Sequence, residues 1–172
     1  MATSTIVSTP RMVKAQNTIT RLANATQYTA DDAVSDSITT PTLAGYFKLP
    51  IASRSGGGFT FTDLVLHKSD QDQVSAAFDV FLFDTLPAVT GFNDAAEIAM
   101  TDAEYAACQE IVSFSAGGWK DVKTGDLQSV RQVFGFVCAA TDVNAYGILV
   151  VRATYTPAAS EVFTLTVKGY QD

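Results

Sequence analysis

The stretch that most constrains the fold is residues 78–84, which read FDVFLFD and precede a Leu-Pro turn signal. Successive side chains of an extended chain point to opposite faces of a sheet. The three even-numbered apolar residues therefore share one face, while Phe81 and Phe83 share the other. A strand that is apolar on both faces belongs in the middle of a sheet that is covered on both sides. We predict a buried central strand here.

Length and composition indicate one weakly charged domain. The chain has 172 residues, of which 17% are charged, below the roughly 25% of an average soluble domain. The net charge of -7 argues against nucleic acid as a direct partner, because phosphate binding requires a basic face. No apolar run reaches about 18 residues and the first residues show no leader pattern, so neither a membrane span nor a signal peptide is expected.

The pattern along the chain divides it into an arm and a β domain. We expect an extended N-terminal arm over 1–16, which is rich in Thr and Ser, and a single β-sandwich domain over 17–172. The clearest predicted strands are 17–22, 59–67, 78–84, 111–114, 129–139, 146–151 and 162–170. Two packed antiparallel sheets bury about eight such strands economically. The fold class is therefore all-β, an antiparallel β-sandwich for which a jelly roll is one candidate topology.

Two strands that are adjacent in the sequence are expected to form a hairpin. A polar turn separates residues 59–67 from residues 78–84, and consecutive strands joined by a short turn commonly pair antiparallel. The alternation in the first of them blurs after Asp63, which indicates a bulge or a fully buried end.

Three further segments have a distinct pattern. Residues 129–139 and 146–151 are apolar on both faces, whereas residues 162–170 alternate, so that one face of that strand meets water. Thr101 and Glu104 fit a capping box, in which each side chain satisfies a free backbone N–H, and they predict one short helix.

Few residues have the pattern of a catalytic or metal site. The single histidine, His67, closes an apolar strand and has no nucleophile motif beside it, which favours a structural role. Residues 70–72 lack the glycine and late glutamate of a calcium loop, and the three glycines at 56–58 lack the Lys-Ser/Thr of a phosphate loop. We expect no enzyme activity, no cofactor and no metal. Cys108 and Cys138 suit small buried hydrophobes, although a disulfide between them stays open.

Three residues are candidates for contact with another protein. Arg11 and Lys14 lie in the expected arm, which would become ordered against a partner. Trp119, the only tryptophan, lies in a Gly-rich, charged loop, where it would either anchor an interface or form a lid over one end of the sandwich.

Several motifs resemble one group of tailed-bacteriophage virion proteins. They are FLFD at 81–84 followed by Pro87, Asn93-Asp94, TDAEY at 101–105, RLANATQYTADDAV at 21–34, where Leu22 replaces the group's usual Pro, and YGILVVRATYTPAASEVFTL at 146–165. The resemblance covers roughly residues 17–170. It implies a capsid decoration, or cement, protein: a β-sandwich, commonly a homotrimer, made in the host cytoplasm and bound to the major capsid protein on the virion surface. No catalytic residue carries over.

A sugar-binding β-sandwich on the virion surface or tail is the alternative. Such a module needs exposed aromatic residues on a concave face, and Tyr28, Tyr46, Tyr155 and Trp119 are the candidates.

Overall fold

The computed structural model describes residues 11–23, 26–39, 41–69, 76–88 and 91–171. The strands are β1 (Arg11–Thr20), β2 (Ala33–Val34), β3 (Phe47–Pro50), β4 (Gly58–Lys68), β5 (Phe78–Phe83), β6 (Cys108–Phe114), β7 (Lys120–Asp121), β8 (Asp126–Val137), β9 (Asn144–Val151) and β10 (Val162–Gln171). One α-helix, α1 (Asp102–Ala107), and a 3-10 turn at Leu43–Gly45 complete the described elements. The all-β prediction is confirmed.

The strands form two antiparallel sheets that pack face to face. Sheet 1 has the order β1-β10-β4-β8-β7, and sheet 2 has the order β2-β9-β5-β6, with β3 also paired to β9. If the two-residue strands β2 and β7 are left out of the order, consecutive strands alternate between the sheets. The exception is the pair β5 and β6, which are neighbours in sheet 2. This arrangement is a jelly roll, which confirms the sandwich and selects that topology.

The predicted central strand is confirmed as β5. It lies between β6 and β9, and all six of its residues are buried. Phe78, Val80 and Leu82 face the main core between the sheets. Phe81 and Phe83 face a second core on the opposite side of sheet 2.

The second core is covered by the connection between β5 and β6. Phe92, Ile98 and Met100 from this connection pack on the outer side of sheet 2. Thr101 and Glu104 form the predicted capping box, and the Glu104 carboxylate also accepts a hydrogen bond from the Ala88 backbone at 2.7 Å. Partial burial alone would raise the pKa of Glu104, but the hydrogen bonds from Thr101 and Ala88 lower it below the ordinary value.

Three expectations about strand placement are wrong. Strand β4 does not pair with β5; it lies in sheet 1 between β10 and β8, because the connection after β4 crosses to the other sheet. Strand β1 begins at Arg11, six residues before the expected start of the domain, and pairs with β10 over its whole length. Strand β8 is covered on one face only, and Val133 and Val137 are 67% and 58% exposed.

Three further expectations, about β9, β10 and the irregularity in β4, are confirmed. Strand β9 is buried at all eight positions, and β10 alternates as predicted. The expected irregularity near Asp63 is a β-bulge, since the pairing of β4 with β8 shifts register between Phe61 and Asp63. The remaining part of the expected arm, residues 1–10, and the polar residues 70–72 lie outside the described residues.

A buried polar cluster joins the connection after β1, the β5–β6 connection and the segment after β9. The Arg21 guanidinium donates to the Tyr28 hydroxyl at 3.0 Å and forms an ion pair with Asp94 at 3.3 Å. The Tyr28 hydroxyl also donates to Asp94, and its ring stacks on Tyr155 with the ring centroids 6.2 Å apart. Burial, and then the neighbouring Asp94 carboxylate, raise the pKa of Tyr28. The hydroxyl therefore stays protonated and acts as a donor.

Replacing Asp94 tests this cluster. Asp94→Ala leaves the Arg21 charge buried without its carboxylate, so we expect the free energy of unfolding to fall by about 3–5 kcal/mol. Urea unfolding measures the change. Glu97→Ala, an exposed acidic residue of the same connection, should change stability by less than about 0.5 kcal/mol. Equal effects of the two substitutions would contradict a structural role for the ion pair.

The two cysteines are free thiols, so the disulfide that the sequence left open does not form. Cys138 is buried, and burial followed by the charges of Asp142 and Asp84 raises its pKa to about 11. Cys108 is half-buried, and burial raises its pKa as well.

Alkylation should distinguish the two thiols. At pH 8 we expect iodoacetamide to modify Cys108 slowly and Cys138 more slowly still, because both are mainly protonated and Cys138 is less accessible. Mass spectrometry of peptides gives both rates, and unfolding in urea should equalise them. A mass gain of two hydrogen atoms on reduction would instead reveal a disulfide.

Candidate functional site

The outer faces of the two sheets differ. The outer face of sheet 2 lies under the β5–β6 connection and forms the second core. No described segment covers the outer face of sheet 1, where Met12, Lys14, Lys168 and Arg131 are all exposed. This open face is the candidate functional site.

A row of charged residues crosses the open face from strand to strand. Lys14 of β1 lies opposite Lys168 of β10, Lys168 lies opposite Asp63 of β4, and Asp63 lies opposite Arg131 of β8. We call these four residues the basic row. Adjacent strands are about 4.8 Å apart, so the row spans about 14 Å. It carries three positive charges and one negative charge on a chain whose net charge is -7.

The cations of the basic row are not used by the fold. Within the described residues, the ion pairs are made by Arg21, Lys68 and Arg152. Asp63, the acid of the row, accepts a hydrogen bond from Thr62 at 2.9 Å. Cations directly opposite each other in a sheet repel, so the Lys14–Lys168 pair opposes folding by a small amount.

Exposed apolar residues lie beside the basic row. Met12 is 66% exposed and lies opposite Tyr170, which is 39% exposed. Across β4, the exposed Val133 and Val137 flank Gly135, and no atom lies within 4 Å of where a Gly135 side chain would begin. We call Met12, Tyr170, Val133 and Val137 the apolar rim.

A shallow groove and a polar band complete the face. The groove, of about 540 Å³, is lined by Met12, Val13, Lys14, Asp63 and Lys168. On the other side of the basic row, Thr18 and Thr164 share a hydrogen bond of 3.1 Å, and Thr166 donates to Gln16 at 3.3 Å. The face therefore combines charge, apolar surface and hydroxyl groups, as protein interfaces do.

Among the described residues, no catalytic or metal-binding group is assembled around His67. His67 lies between Thr164 and Leu127 of the neighbouring strands, and no carboxylate of the described residues is within ion-pair distance of it. A second depression, of about 300 Å³, is lined by Tyr105, Cys108, Gln109, Glu110 and Ile111. Nowhere in the described ranges do three potential metal ligands come together. Among the same residues, no helix has the length and apolar character to cross a bilayer.

The structure separates the three residues that the sequence suggested for an interface. Lys14 lies in the basic row, and Arg11 is exposed at the start of the same strand, opposite Gln171. Trp119 is only 7% exposed and belongs to the main core. Its indole N–H donates to the Ala76 carbonyl at 2.7 Å, so it forms the lid rather than an exposed anchor.

The surroundings of Trp119 explain its burial. Its ring meets Phe78 edge-on with the centroids 5.8 Å apart, and the Lys68 ammonium lies 5.7 Å from the ring centroid. Lys68 is fully buried and forms an ion pair of 2.7 Å with the equally buried Asp126. Trp119 therefore shields a buried ion pair as well as the end of β5.

Sequence reasoning missed most of the open face. The alternation of 162–170 correctly assigned Lys168 to the water-facing side, but only the strand order places it beside Lys14. The apolar pattern of 129–139 suggested burial of Val133 and Val137, and nothing in the local sequence marks that face of β8 as open.

Comparisons with known proteins give structural neighbours but no sequence relative. No family model matches the chain, and no curated protein matches it. A chain of the Cyanophage Pam1 capsid asymmetric unit is similar with a TM-score of 0.37 and 11% sequence identity, over 99% of this chain and 91% of that chain. A TM-score this low does not define a common fold, so the neighbour decides neither the fold nor the role of this protein.

Replacing Trp119 tests the lid. Trp119→Ala removes a large buried side chain, and we expect unfolding free energy to fall by about 3–5 kcal/mol. Trp119→Phe keeps an aromatic ring but loses the hydrogen bond to the Ala76 carbonyl, and it should lower the unfolding free energy by less than Trp119→Ala does. Thermal unfolding measures both, and light scattering should show an unchanged oligomeric state. A change of oligomeric state with an unchanged melting temperature would instead identify Trp119 as an interface residue.

Proposed function

We propose that this protein is a structural component of a tailed-bacteriophage virion. It binds the outer surface of the assembled capsid as a decoration protein and stabilises the lattice of the major capsid protein, without catalysis. The resemblance of its motifs to that group supports the proposal, and the single observation that carries it is the open face of sheet 1. One side of this sandwich is covered by its own chain, and no described segment covers the other, which has an interface-like composition.

The composition of the open face favours protein contact. Contiguous apolar surface with methionine, tyrosine and arginine is typical of protein interfaces, and these residue types recur among the residues that dominate binding energy. Met12, Tyr170 and Arg131 supply all three types on one face. The Thr-rich band beside them provides hydroxyl groups for a hydrogen-bonded periphery.

The mechanism is added contact area. Each copy would bind two or more subunits that are neighbours only in the assembled shell, and it therefore stabilises the shell and not the free subunits, by mass action. A homotrimer belongs to this proposal, since three linked copies would convert a weak contact into a strong one through avidity.

The glycan-binding alternative loses its basis. Tyr28, Tyr46, Tyr155 and Trp119 were the candidates for a sugar platform, and they are 0%, 1%, 2% and 7% exposed. A buried ring cannot stack on a sugar, so no observation on these residues favours that function.

Reconstitution with capsids tests the proposal. The purified protein, added to capsids of the encoding phage from which it has been removed, should co-sediment with them and saturate at a fixed number of copies per shell. The saturated capsids should survive a higher temperature than the stripped capsids. Native capsids, whose binding sites are already filled, should bind little of the added protein. Absence of binding at the highest soluble concentration would refute the proposed function.

A further inference from the structure

We infer that the open face of sheet 1 docks on an acidic patch of the capsid shell, with the basic row facing carboxylates and the apolar rim buried beside them. This inference rests on the proposed function and adds the contact surface and the chemistry of its partner. The basic row is Lys14, Lys168, Asp63 and Arg131, and the apolar rim is Met12, Tyr170, Val133 and Val137.

The distribution of charge identifies an acidic partner. The chain has 11 basic and 18 acidic residues, and Arg21, Lys68 and Arg152 are held by acids of the protein itself. Three of the remaining cations lie in one row on one face. Asp63 offsets one of these charges, and the row keeps a net positive charge. An acidic protein that gathers net positive charge on its open face has the charge pattern that complements an anionic surface.

The arrangement of the lysines supports the same conclusion. Lys14 and Lys168 lie directly opposite each other, which disfavours the folded state slightly when the protein is alone. A carboxylate placed between the two ammonium groups would turn this repulsion into two attractions. The row is thus better suited to the bound state than to the free one.

The apolar rim indicates that the partner is a protein surface. Met12 lines the groove at one end of the row and lies opposite Tyr170, and Val133 and Val137 lie across the sheet from them. Phosphates would use the cations but leave these side chains in water, and Asp63 in the middle of the row would repel a polyanion that followed it. A protein surface with carboxylates beside apolar residues satisfies both halves of the face.

A second copy of this chain is the other possible occupant. Two copies that met face to face through this surface would place their basic rows against each other, which electrostatic repulsion opposes. A head-to-tail contact, with the open face of one copy on an acidic region of the next, escapes this repulsion and is distinguished by the experiment.

Lys14→Glu is the most informative substitution. It places a carboxylate opposite Lys168, so the isolated fold should be as stable as the native protein or slightly more so. The same carboxylate would repel an acidic partner, and we expect affinity for stripped capsids to fall at least about tenfold. Lys48→Glu makes the same charge change at an exposed position on β3 of sheet 2 and should leave affinity unchanged.

A test substitution in the apolar rim can be compared with a control substitution outside this face. Val133→Asp, at a side chain that is 67% exposed, should weaken capsid binding at least about tenfold. Ile38→Asp, at a side chain that is 59% exposed and off this face, should not. Melting temperatures identify any variant that fails to fold. Rising NaCl should weaken binding of the native protein more steeply than binding of Lys14→Glu, because screening acts on the lost charge.

The outcomes separate the two proposals. If the native protein fails to bind capsids, the proposed function is wrong. If it binds and Lys14→Glu and Val133→Asp bind as well as their controls, the function stands and the docking face is wrong. In the third outcome, light scattering shows that Lys14→Glu and Val133→Asp have a changed oligomeric state, yet both variants bind capsids normally. The face then joins copies of this chain, and the acidic shell is not its partner.

Discussion

The ion pair between Arg21 and Asp94 is the interaction on which the rest of the structure depends. Arg21 follows β1 of sheet 1, whereas Asp94 lies in the connection that covers sheet 2. Asp94 also accepts hydrogen bonds from Tyr28 and from the Ser35 backbone, so one carboxylate holds four segments together. Because a buried charge without a partner costs several kcal/mol, these segments have little freedom to separate. Residues 21–35 and the β5–β6 connection are joined at this carboxylate.

The covering of sheet 2 by its own connection makes the molecule two-sided. The β5–β6 connection could have lain anywhere on the surface, but Phe92 and its neighbours pack on Phe81 and Phe83 and close that side. On the opposite side of the sandwich, no described segment lies over the side chains of sheet 1. The residues of this open face are positioned by hydrogen-bonded strands rather than by loops.

Local sequence predicts the elements of this fold well and their pairing poorly. The alternation of residues 78–84 correctly divided β5 between two cores, and Thr101 with Glu104 correctly located the start of α1. Both are properties of a few adjacent residues. The partner of β4 depends on where the chain crosses between sheets, and proximity in sequence wrongly favoured β5. The open face consists of residues from four strands, so no single stretch contains its signal. Trp119 shows the same limit, because its Gly-rich surroundings suggest exposure while its contacts come from distant strands.

The position of β10 in the interior of sheet 1 has a consequence for how the protein is made. Strand β10 separates β1 from β4, so β1 acquires its strand partner only after β10 has been synthesised. Until the ribosome has synthesised β10, β1 and one edge of β4 have exposed backbone groups that can pair with other chains. Contacts between such distant segments also make for slow folding. Newly made copies should therefore rely on chaperones, and a shortened β10 should produce aggregates rather than a smaller sandwich.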